Sequence, residues 1–162
     1  MREDQSVVLI PIVVIHTPFT DLAGMPIQPT GARGIMGRVE VFPRYADGLL
    51  DLDGFSHVVL LYAFHMSVGY DPVVTPFLDA EPHGVFATRA PRRPNPIGLS
   101  VVRLVGLEGS SLEVEDIDVL DGTPLLDIKP HVPSFAAEGS VRIGWLERTC
   151  DAVSDYRSDD RF

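Results

Sequence analysis

Apolar residues recur along this chain in short runs, many with a period of two, and turn-forming residues separate the runs. Alternation of apolar and polar side chains is typical of a β-strand with one buried face, and a continuous β-branched run is typical of a strand buried on both faces. Five segments have one of these patterns and are predicted to be strands: residues 7–15, 34–42, 57–64, 99–107 and 112–120. Residues 141–146 are a candidate for a final strand.

The fourth and fifth predicted strands are joined by the turn sequence Glu108-Gly109-Ser110-Ser111 and are expected to form a hairpin. Within the fifth, the apolar positions change phase near Glu115, which indicates a β-bulge. Helical patterns are confined to residues 43–48 and 73–78, each enough for a turn or two. Short strands, turn-rich connections and the lack of a long amphipathic helix predict an all-β fold, an antiparallel barrel or sandwich.

The length of 162 residues fits one domain, and no repeat or linker divides residues 1–162. An apolar fraction of 45% with 22% charged residues excludes a wholly disordered chain. The polar end, residues 153–162, is predicted to be a flexible tail, and no additional C-terminal domain is expected.

Cysteine usage and the apolar start of the chain predict a cytoplasmic protein without a metal site. Cys150 is the only cysteine, so neither an intrachain disulfide nor a thiolate cluster is expected. The apolar residues 7–15 contain Pro11 and follow Glu3 and Asp4, which favours a buried strand over a signal peptide or membrane span.

The densest chemistry lies in residues 89–96, here called the arginine loop, which contain three arginines and three prolines. Each proline fixes its own φ and keeps the preceding residue extended, so Arg93 and Asn95 are held outside the helical region. Guanidinium groups match carboxylates and phosphates, and the loop therefore predicts an anionic ligand. The formal net charge of −10 opposes binding of RNA unless basic side chains gather on one face.

Conventional nucleotide-binding and hydrolase motifs are absent from the sequence. Residues 31–37 contain three glycines, but their spacing differs from the dinucleotide-binding fingerprint. No phosphate-binding loop of the Walker type and no serine nucleophile elbow occurs.

Three other segments are rich in proline, glycine or polar side chains, and each has a structural explanation of its own. Residues 25–29 form a proline-bracketed turn, and His65, at the end of a predicted strand, is typical of a core histidine. Residues 121–124 are a good β-turn sequence. Asp127 and Lys129 alternate with apolar neighbours, as in a half-exposed edge strand.

Taken together, these segments match the pattern of one family. The matching motifs are Arg93-Pro94-Asn95-Pro96-Ile97-Gly98, Asp121-Gly122-Thr123-Pro124 with Lys129-Pro130, His16-Thr17-Pro18-Phe19, Pro26-Ile27-Gln28, Gly54-Phe55-Ser56-His57, Phe64-His65 and Gly84-Val85-Phe86-Ala87-Thr88-Arg89. In them, from about Ile12 to Arg148, the chain resembles the TsaA/YaeB family, which is associated with TrmO, an S-adenosylmethionine-dependent tRNA adenosine methyltransferase.

The resemblance implies a small β-barrel, a homodimer, that binds S-adenosylmethionine without a doubly wound sheet. It implies methylation of the exocyclic amine of a threonylcarbamoylated adenosine beside the tRNA anticodon. The cofactor contacts that it implies are Pro26, Ile27, Gln28, His65, Met66, Arg89, Leu99, Asp121, Gly122, Thr123 and Pro124. Longer members of the family carry a further C-terminal domain, which is not expected here.

Asn95 and Pro96 are the candidate catalytic residues. An adenine amine is a poor nucleophile because its lone pair is delocalised into the ring, and hydrogen-bond acceptors aimed at its protons help it to pyramidalise. The Asn95 side chain and the backbone carbonyl beside Pro96 are suited to this role. The alternative is that Asn95 caps its own turn.

Arg92, Arg93 and Lys129 are the predicted RNA contacts, and Arg89 is expected to bind either the cofactor's carboxylate or an RNA phosphate. Two other functions remain open at this point. One is a regulatory barrel that binds S-adenosylmethionine without catalysis. The other is a methyltransferase whose acceptor is a small adenosine-like molecule.

Overall fold

The computed structural model describes residues 6–135, 139–148 and 157–159, and Cys150 lies outside them. The described strands are β1 (Val13–His16), β2 (Met36–Glu40), β3 (His57–Ala63), β4 (Val73–Val74), β5 (His83–Gly84), β6 (Ile97–Glu108), β7 (Ser111–Glu115) and β8 (Thr123–Pro130). Short 3₁₀ helices cover Pro29–Gly31, Pro43–Leu49, Leu52–Gly54, Val85–Ala87, Pro133–Phe135 and Gly144–Arg148.

Six strands close into one antiparallel barrel in the order β1-β2-β7-β6-β3-β8. The pairing of Val13 with Leu125 joins β1 to β8 and completes the ring. The predicted all-β fold is confirmed, as a barrel and not as a sandwich. β8 belongs to the closed barrel, but β1 pairs only with its first residues, Thr123, Pro124 and Leu125. Asp127 and Lys129 pair with β3 alone, as in the half-exposed edge strand that the sequence predicts.

The core fills the inside of the barrel because side chains alternate across each strand. Along β3, Val58, Leu60 and Tyr62 are buried, while the residues between them face outward. Fully or nearly fully buried side chains from the other strands and their connections complete the core: Val13, Ile15, Val39, Val41, Val102, Leu112, Val114, Ile117, Val119 and Leu125.

Two predicted strands are shorter than the apolar runs that suggested them. β1 begins only at Val13, and Val7 and Val8 are 80% and 84% exposed. β7 ends at Glu115, and the next residue, Asp116, has a left-handed φ of 66°. The phase change near Glu115 thus marks the end of a strand and not a bulge, and the irregularity of this hairpin lies on β6.

Two other predicted elements differ in type. Residues 73–78 begin with β4, which pairs with β5 over a small apolar cluster of Val74, Val85 and Ala90, and are not helical. The candidate strand at 141–146 is replaced by the 3₁₀ helix Gly144–Arg148. The predicted turn at 43–48 is confirmed. None of the helices in the described residues is long and apolar enough to cross a membrane.

Residues 157–159 lie against the segment that precedes Pro26. Gly24 N donates to Ser158 O, and Ser158 N donates to Met25 O, each at 2.8 Å. These three residues of the predicted tail are therefore tied to the barrel by hydrogen bonds, and the rest of 153–162 lies outside the described chain.

Candidate functional site

The mouth of the barrel is the end where β1, β3 and β7 finish and β2, β6 and β8 begin. The arginine loop enters β6 here, and the turn at residues 121–124 enters β8. Phe64 N donates to Pro96 O, and Ile97 N donates to Asn95 O, both at 2.8 Å. These bonds fix the exit of the arginine loop to the barrel frame, so that loops distant in sequence meet in a defined geometry.

Gln28 and Arg89 are in direct contact at this mouth. Arg89 Nη1 donates to Gln28 Oε1 at 3.0 Å, although the two residues are 61 positions apart. Gln28 precedes the 3₁₀ helix that begins at Pro29, and Arg89 begins the arginine loop. This bond uses one of the five guanidinium donors, and the others have no hydrogen-bond partner among the described residues, so they remain available to an anion.

His65 and Thr123 form a second contact between predicted cofactor residues, with 3.3 Å between His65 Nδ1 and Thr123 Oγ1. His65 lies two residues beyond the end of β3 and is exposed, so it is not a core histidine. Gly122 has a φ of 79°, a conformation that favours glycine, and donates its N–H to Ile15 O at 3.0 Å. The turn therefore presents the Thr123 hydroxyl to His65.

Asp121 anchors this turn to the chain that leaves β1. Its Oδ1 accepts a hydrogen bond from Thr17 N at 3.0 Å and lies 3.3 Å from His16 Nδ1. The Asp121 N–H donates to Phe19 O at 2.8 Å. The contact between Asp121 and the cofactor stays a prediction. The hydrogen bonds that Asp121 makes with the chain leaving β1 explain the position of the turn.

A buried chain of hydrogen bonds that no sequence motif indicates lies beneath the mouth. Tyr62 OH is 3.0 Å from Ser100 Oγ, which is 2.6 Å from Asp118 Oδ1. Gly98 makes room for the Tyr62 ring, because a Cβ there would lie 2.2 Å from Tyr62 Cε2. One feature of the sequence indicates this chain of hydrogen bonds. Asp118 shares the apolar face of residues 112–120, where a charged side chain needs a partner.

The electrostatics of this chain depend on burial. Burial raises the pKa of Asp118 from 3.8 to about 6, against the opposing effects of the Ser100 hydrogen bond and the Arg89 charge. Burial, and secondly the charge of Asp118, also raises the pKa of Tyr62, which therefore stays protonated and donates to Ser100. The Arg89 charge has the smallest effect, and it lowers the pKa of both groups.

The other predicted cofactor residues differ in exposure and in their place on the strands. Leu99 is on the outer surface of β6 and is 44% exposed, and Met66, beyond β3, is 58% exposed. Pro124 lies on the outer side of β8, since it alternates with buried neighbours. Pro26 is buried and forms a bridge with the C-terminal segment, while Ile27 is half-buried.

The other two arginines of the loop, Arg92 and Arg93, also have partners within the protein. Arg93 Nη1 donates to Thr88 O at 3.1 Å and to Ala90 O at 3.3 Å, so Arg93 braces the loop. Arg92 Nη1 lies 3.4 Å from Asp71 Oδ2 in a half-exposed ion pair. Arg92 therefore keeps donors for an external phosphate, whereas Arg93 has a structural role that its sequence position does not reveal.

The remaining predicted residues fall at opposite ends of the barrel. Asn95 is exposed at the mouth, and its side chain has no hydrogen-bond partner among the described residues, so it does not cap its own turn. Lys129 lies near the far end of β8 and pairs with Asp127 at 2.6 Å. In the described part of the chain, no group of three histidine, cysteine or carboxylate side chains is placed to hold a metal ion.

Comparison with known proteins gives the same family along most of the chain. The family model described as the tRNA-methyltransferase O N-terminal domain matches residues 14–137. A probable S-adenosyl-L-methionine-binding protein of Pyrococcus abyssi is 53% identical over 152 residues, 94% of this chain and 83% of its own length. The mouse tRNA (adenine(37)-N6)-methyltransferase is 36% identical over 140 residues, 82% of this chain and 32% of the mouse protein.

Solved structures agree with the sequence comparison. The crystal structure of TrmO from Pseudomonas aeruginosa is 40% identical to this chain, with a TM-score of 0.73. The match covers 87% of this chain and 63% of the TrmO chain. The chain thus spans less than two thirds of that structure.

Replacement of Asp118 by asparagine is expected to stabilise the protein at neutral pH. Because the carboxyl pKa is 3.8 in its ordinary state and about 6 when folded, the folded protein binds the proton more readily. The ionised carboxylate therefore costs stability above pH 6, and the cost disappears as the pH falls toward 3.8. At about pH 7.5, urea unfolding should give Asp118→Asn roughly 1 to 3 kcal/mol more stability than wild type.

The matched control is Asp47→Asn, which removes a charge from the exposed 3₁₀ helix Pro43–Leu49 at the other end of the barrel. It should leave the stability within about 0.5 kcal/mol of wild type. An Asp118→Asn protein less stable than wild type at neutral pH, or a difference that does not shrink toward pH 4, would contradict the raised pKa.

Proposed function

The chain belongs to the tRNA-methyltransferase O N-terminal domain family, and from this membership we propose that it is an S-adenosylmethionine-dependent methyltransferase. The acceptor that we propose is the exocyclic amine of an adenosine, in threonylcarbamoylated form, next to the anticodon of tRNA. The observation that carries the proposal is the meeting at one mouth of Gln28 with Arg89 and of His65 with Thr123. Such an enzyme would act in the cytoplasm.

The residues at the mouth suit S-adenosylmethionine. Arg89 offers free guanidinium donors to a carboxylate, and Gln28 fixes the orientation of that guanidinium. His65 and Thr123 offer a ring and a hydroxyl for the polar groups of a nucleoside. The cofactor, when bound, supplies a methyl group already activated by its sulfonium, so the protein's main task is to align donor and acceptor.

Asn95 is the residue proposed to orient the acceptor amine. Its exposed side-chain carbonyl has no partner among the described residues and stands on a loop held by the Phe64–Pro96 hydrogen bond. The Asn95 and Pro96 carbonyls each accept one backbone hydrogen bond, which leaves each a second lone pair. An adenosine in an anticodon loop is splayed from its neighbours more easily than one in a duplex, which favours this acceptor.

A second function remains in competition, because several relatives, including that of Pyrococcus abyssi, are described as S-adenosyl-L-methionine-binding proteins rather than as enzymes. A regulatory barrel of this kind would bind the cofactor and transfer nothing. A methyltransferase with a small adenosine-like acceptor is the third possibility. An assay of methyl transfer to RNA separates all three.

We also propose that the protein is a homodimer that pairs through the outer surface of β3 and β6. This surface is apolar and partly exposed, and its residues are Val59, Leu61, Ile97, Leu99, Val101 and Val105. Ile97, Leu99 and Val105 are each more than 40% exposed, and the exposed Arg103 lies between Val105 and the other two along β6. An exposed apolar surface of this kind is typical of an interface between copies.

Methyl transfer to tRNA is expected from the wild-type protein and not from Asn95→Ala. With methyl-labelled S-adenosylmethionine and total tRNA from cells that lack their own enzyme, Asn95→Ala should lose roughly 100-fold in turnover. Its affinity for the cofactor should stay within about twofold of wild type, because Asn95 is assigned to the acceptor. Asp47→Asn is the control and should transfer normally.

Full turnover by Asn95→Ala would dismiss the role of Asn95 and leave the methyltransferase standing. Wild-type protein that binds the cofactor but labels no tRNA would favour the regulatory barrel. Labelling of free adenosine derivatives in place of tRNA would favour the small-molecule acceptor.

Removal of charge at Arg92 is expected to weaken tRNA binding without affecting cofactor binding. Arg92→Gln should reduce tRNA affinity a few-fold and lower the slope of log K against log salt by roughly one. Arg44→Gln, at the far end of the barrel, is the matched control. Loss of cofactor affinity in Arg92→Gln would reverse the assignment.

Arg93→Gln is expected to lower the unfolding free energy by about 1 to 2 kcal/mol in addition to weakening tRNA binding, since it removes both bonds that brace the loop.

Dimerisation through the outer β3–β6 surface predicts a sedimentation mass twice the 17.7 kDa of one chain. Val105→Glu should shift the protein to a monomer, because it places a charge on the apolar surface. Val8→Glu, at an exposed position before β1, should remain dimeric. A wild-type mass of one chain at micromolar concentration would contradict the proposal.

A further inference from the structure

Ser158 joins the C-terminal segment to the loop that leads to Gln28. Gly24 N donates to Ser158 O, and Ser158 N donates to Met25 O, each at 2.8 Å. The Ser158 hydroxyl accepts a hydrogen bond from Met25 N at 3.0 Å and donates to Leu22 O. The amide, the carbonyl and the hydroxyl of Ser158 are therefore all bonded to this loop, and these bonds are here called the C-terminal clamp.

Residues 20–27, here called the entry loop, are held to the rest of the protein mainly by the C-terminal clamp. The entry loop leaves the barrel after β1 and precedes the first 3₁₀ helix. Among the residues that the structure describes, every backbone hydrogen bond between the entry loop and another segment is made with Ser158. A bridge between Pro26 and Arg157 extends the same contact. The buried side chain of Met25 is a further anchor of the entry loop.

The entry loop carries part of the candidate site. Pro26, Ile27 and Gln28 are predicted cofactor contacts, and they directly follow Met25, whose N–H and carbonyl are both bonded in the clamp. Gln28 Oε1 accepts the hydrogen bond of Arg89 Nη1 at 3.0 Å. Because a chain that loses its anchor at Met25 is freer to move over the next three residues, the C-terminal clamp controls the position of Gln28 against Arg89.

We propose that Ser158 is a positioning residue for S-adenosylmethionine, because the C-terminal clamp holds the entry loop and Gln28 in the conformation that binds the cofactor. This inference rests on the proposed function, since it concerns the same cofactor. It assigns a role to a part of the chain outside the matched family model, which ends at residue 137. The sequence does not indicate this role, since the polar residues 153–162 are typical of a flexible tail.

Preorganisation is the physical reason that the clamp affects cofactor affinity. A loop that is ordered before the ligand arrives loses less conformational entropy on binding. When the loop is open in a fraction of the molecules, only the closed fraction binds, and the apparent dissociation constant rises in inverse proportion to that fraction. A cofactor that prefers the closed loop keeps the clamp closed by the same factor, because the coupling between two equilibria is reciprocal.

Calorimetric titration with S-adenosylmethionine tests the inference on three variants. Ser158→Ala removes both hydroxyl bonds, and its affinity should be roughly 5- to 10-fold lower than that of wild type. Ser158→Thr keeps the hydroxyl and should bind within about twofold of wild type. The matched control is Ser134→Ala, which removes an exposed hydroxyl from the 3₁₀ helix Pro133–Phe135 and should bind as wild type does.

Amide hydrogen exchange of the wild-type protein, followed by NMR, gives a readout that a purely structural clamp would not change. The N–H groups of Gly24 and Ser158 are bonded in the clamp and exchange when it opens locally. Saturating S-adenosylmethionine should slow the exchange of both amides at least about fivefold. The Phe135 N–H, which donates to Val132 O beyond the far end of β8, should exchange at the same rate with and without the cofactor.

The possible outcomes separate this inference from the proposed function. Equal affinities of Ser158→Ala and wild type, or clamp amides whose exchange the cofactor does not slow, would overturn the inference and leave the methyltransferase standing. A loss in Ser158→Thr equal to that in Ser158→Ala would also overturn it, because the hydroxyl would then not be the group that holds the loop. If Ser158→Ala does not fold, the wild-type exchange rates decide. Wild-type protein that binds no S-adenosylmethionine would overturn the proposed function, and this inference with it.

Discussion

Closure of the barrel through β8 is the constraint on which the rest of the structure depends. β8 pairs with β1 over its first three residues, through Val13 and Leu125, and with β3 along most of its length, so its two neighbours close the ring at the mouth. Its first residue, Thr123, lies at the mouth because the register with Ile15 places it there. The same pairing fixes the end of β3 and therefore the position of His65. Without this closure, the strands would not hold Gln28 against Arg89 or His65 against Thr123.

Prolines and hydrogen bonds to backbone carbonyls hold the arginine loop in place at the mouth of the barrel. The arginine loop is stiff because its prolines restrict the backbone, and Arg93 ties the loop to its own carbonyls. Loops held in this way present side chains with little loss of conformational freedom when a ligand binds. This explains how a chain with a net charge of −10 presents a cationic side chain, Arg89, at a defined place.

The Tyr62–Ser100–Asp118 chain illustrates a compromise between stability and function. Gly98 gives the Tyr62 ring its place by leaving out a side chain, and Ser100 occupies a core position that an alanine or valine would fill without polar cost. These residues hold a carboxylate in a poorly hydrated position beneath the mouth. A barrel built for stability alone would contain an apolar group there, because an unneeded buried charge lowers the free energy of unfolding.

The amino-acid sequence by itself determined the all-β class, five of the strand positions, the importance of the arginine loop and the family, because alternation and long motifs are local properties. Tertiary structure decided the rest. It decided that 141–146 is not a strand, that Arg93 serves the loop itself, and that Leu99 points outward, since each depends on which neighbours the fold supplies. It also brought Asp118 to Ser100. The two residues lie on different segments, and only the closed barrel places them within hydrogen-bonding distance of each other.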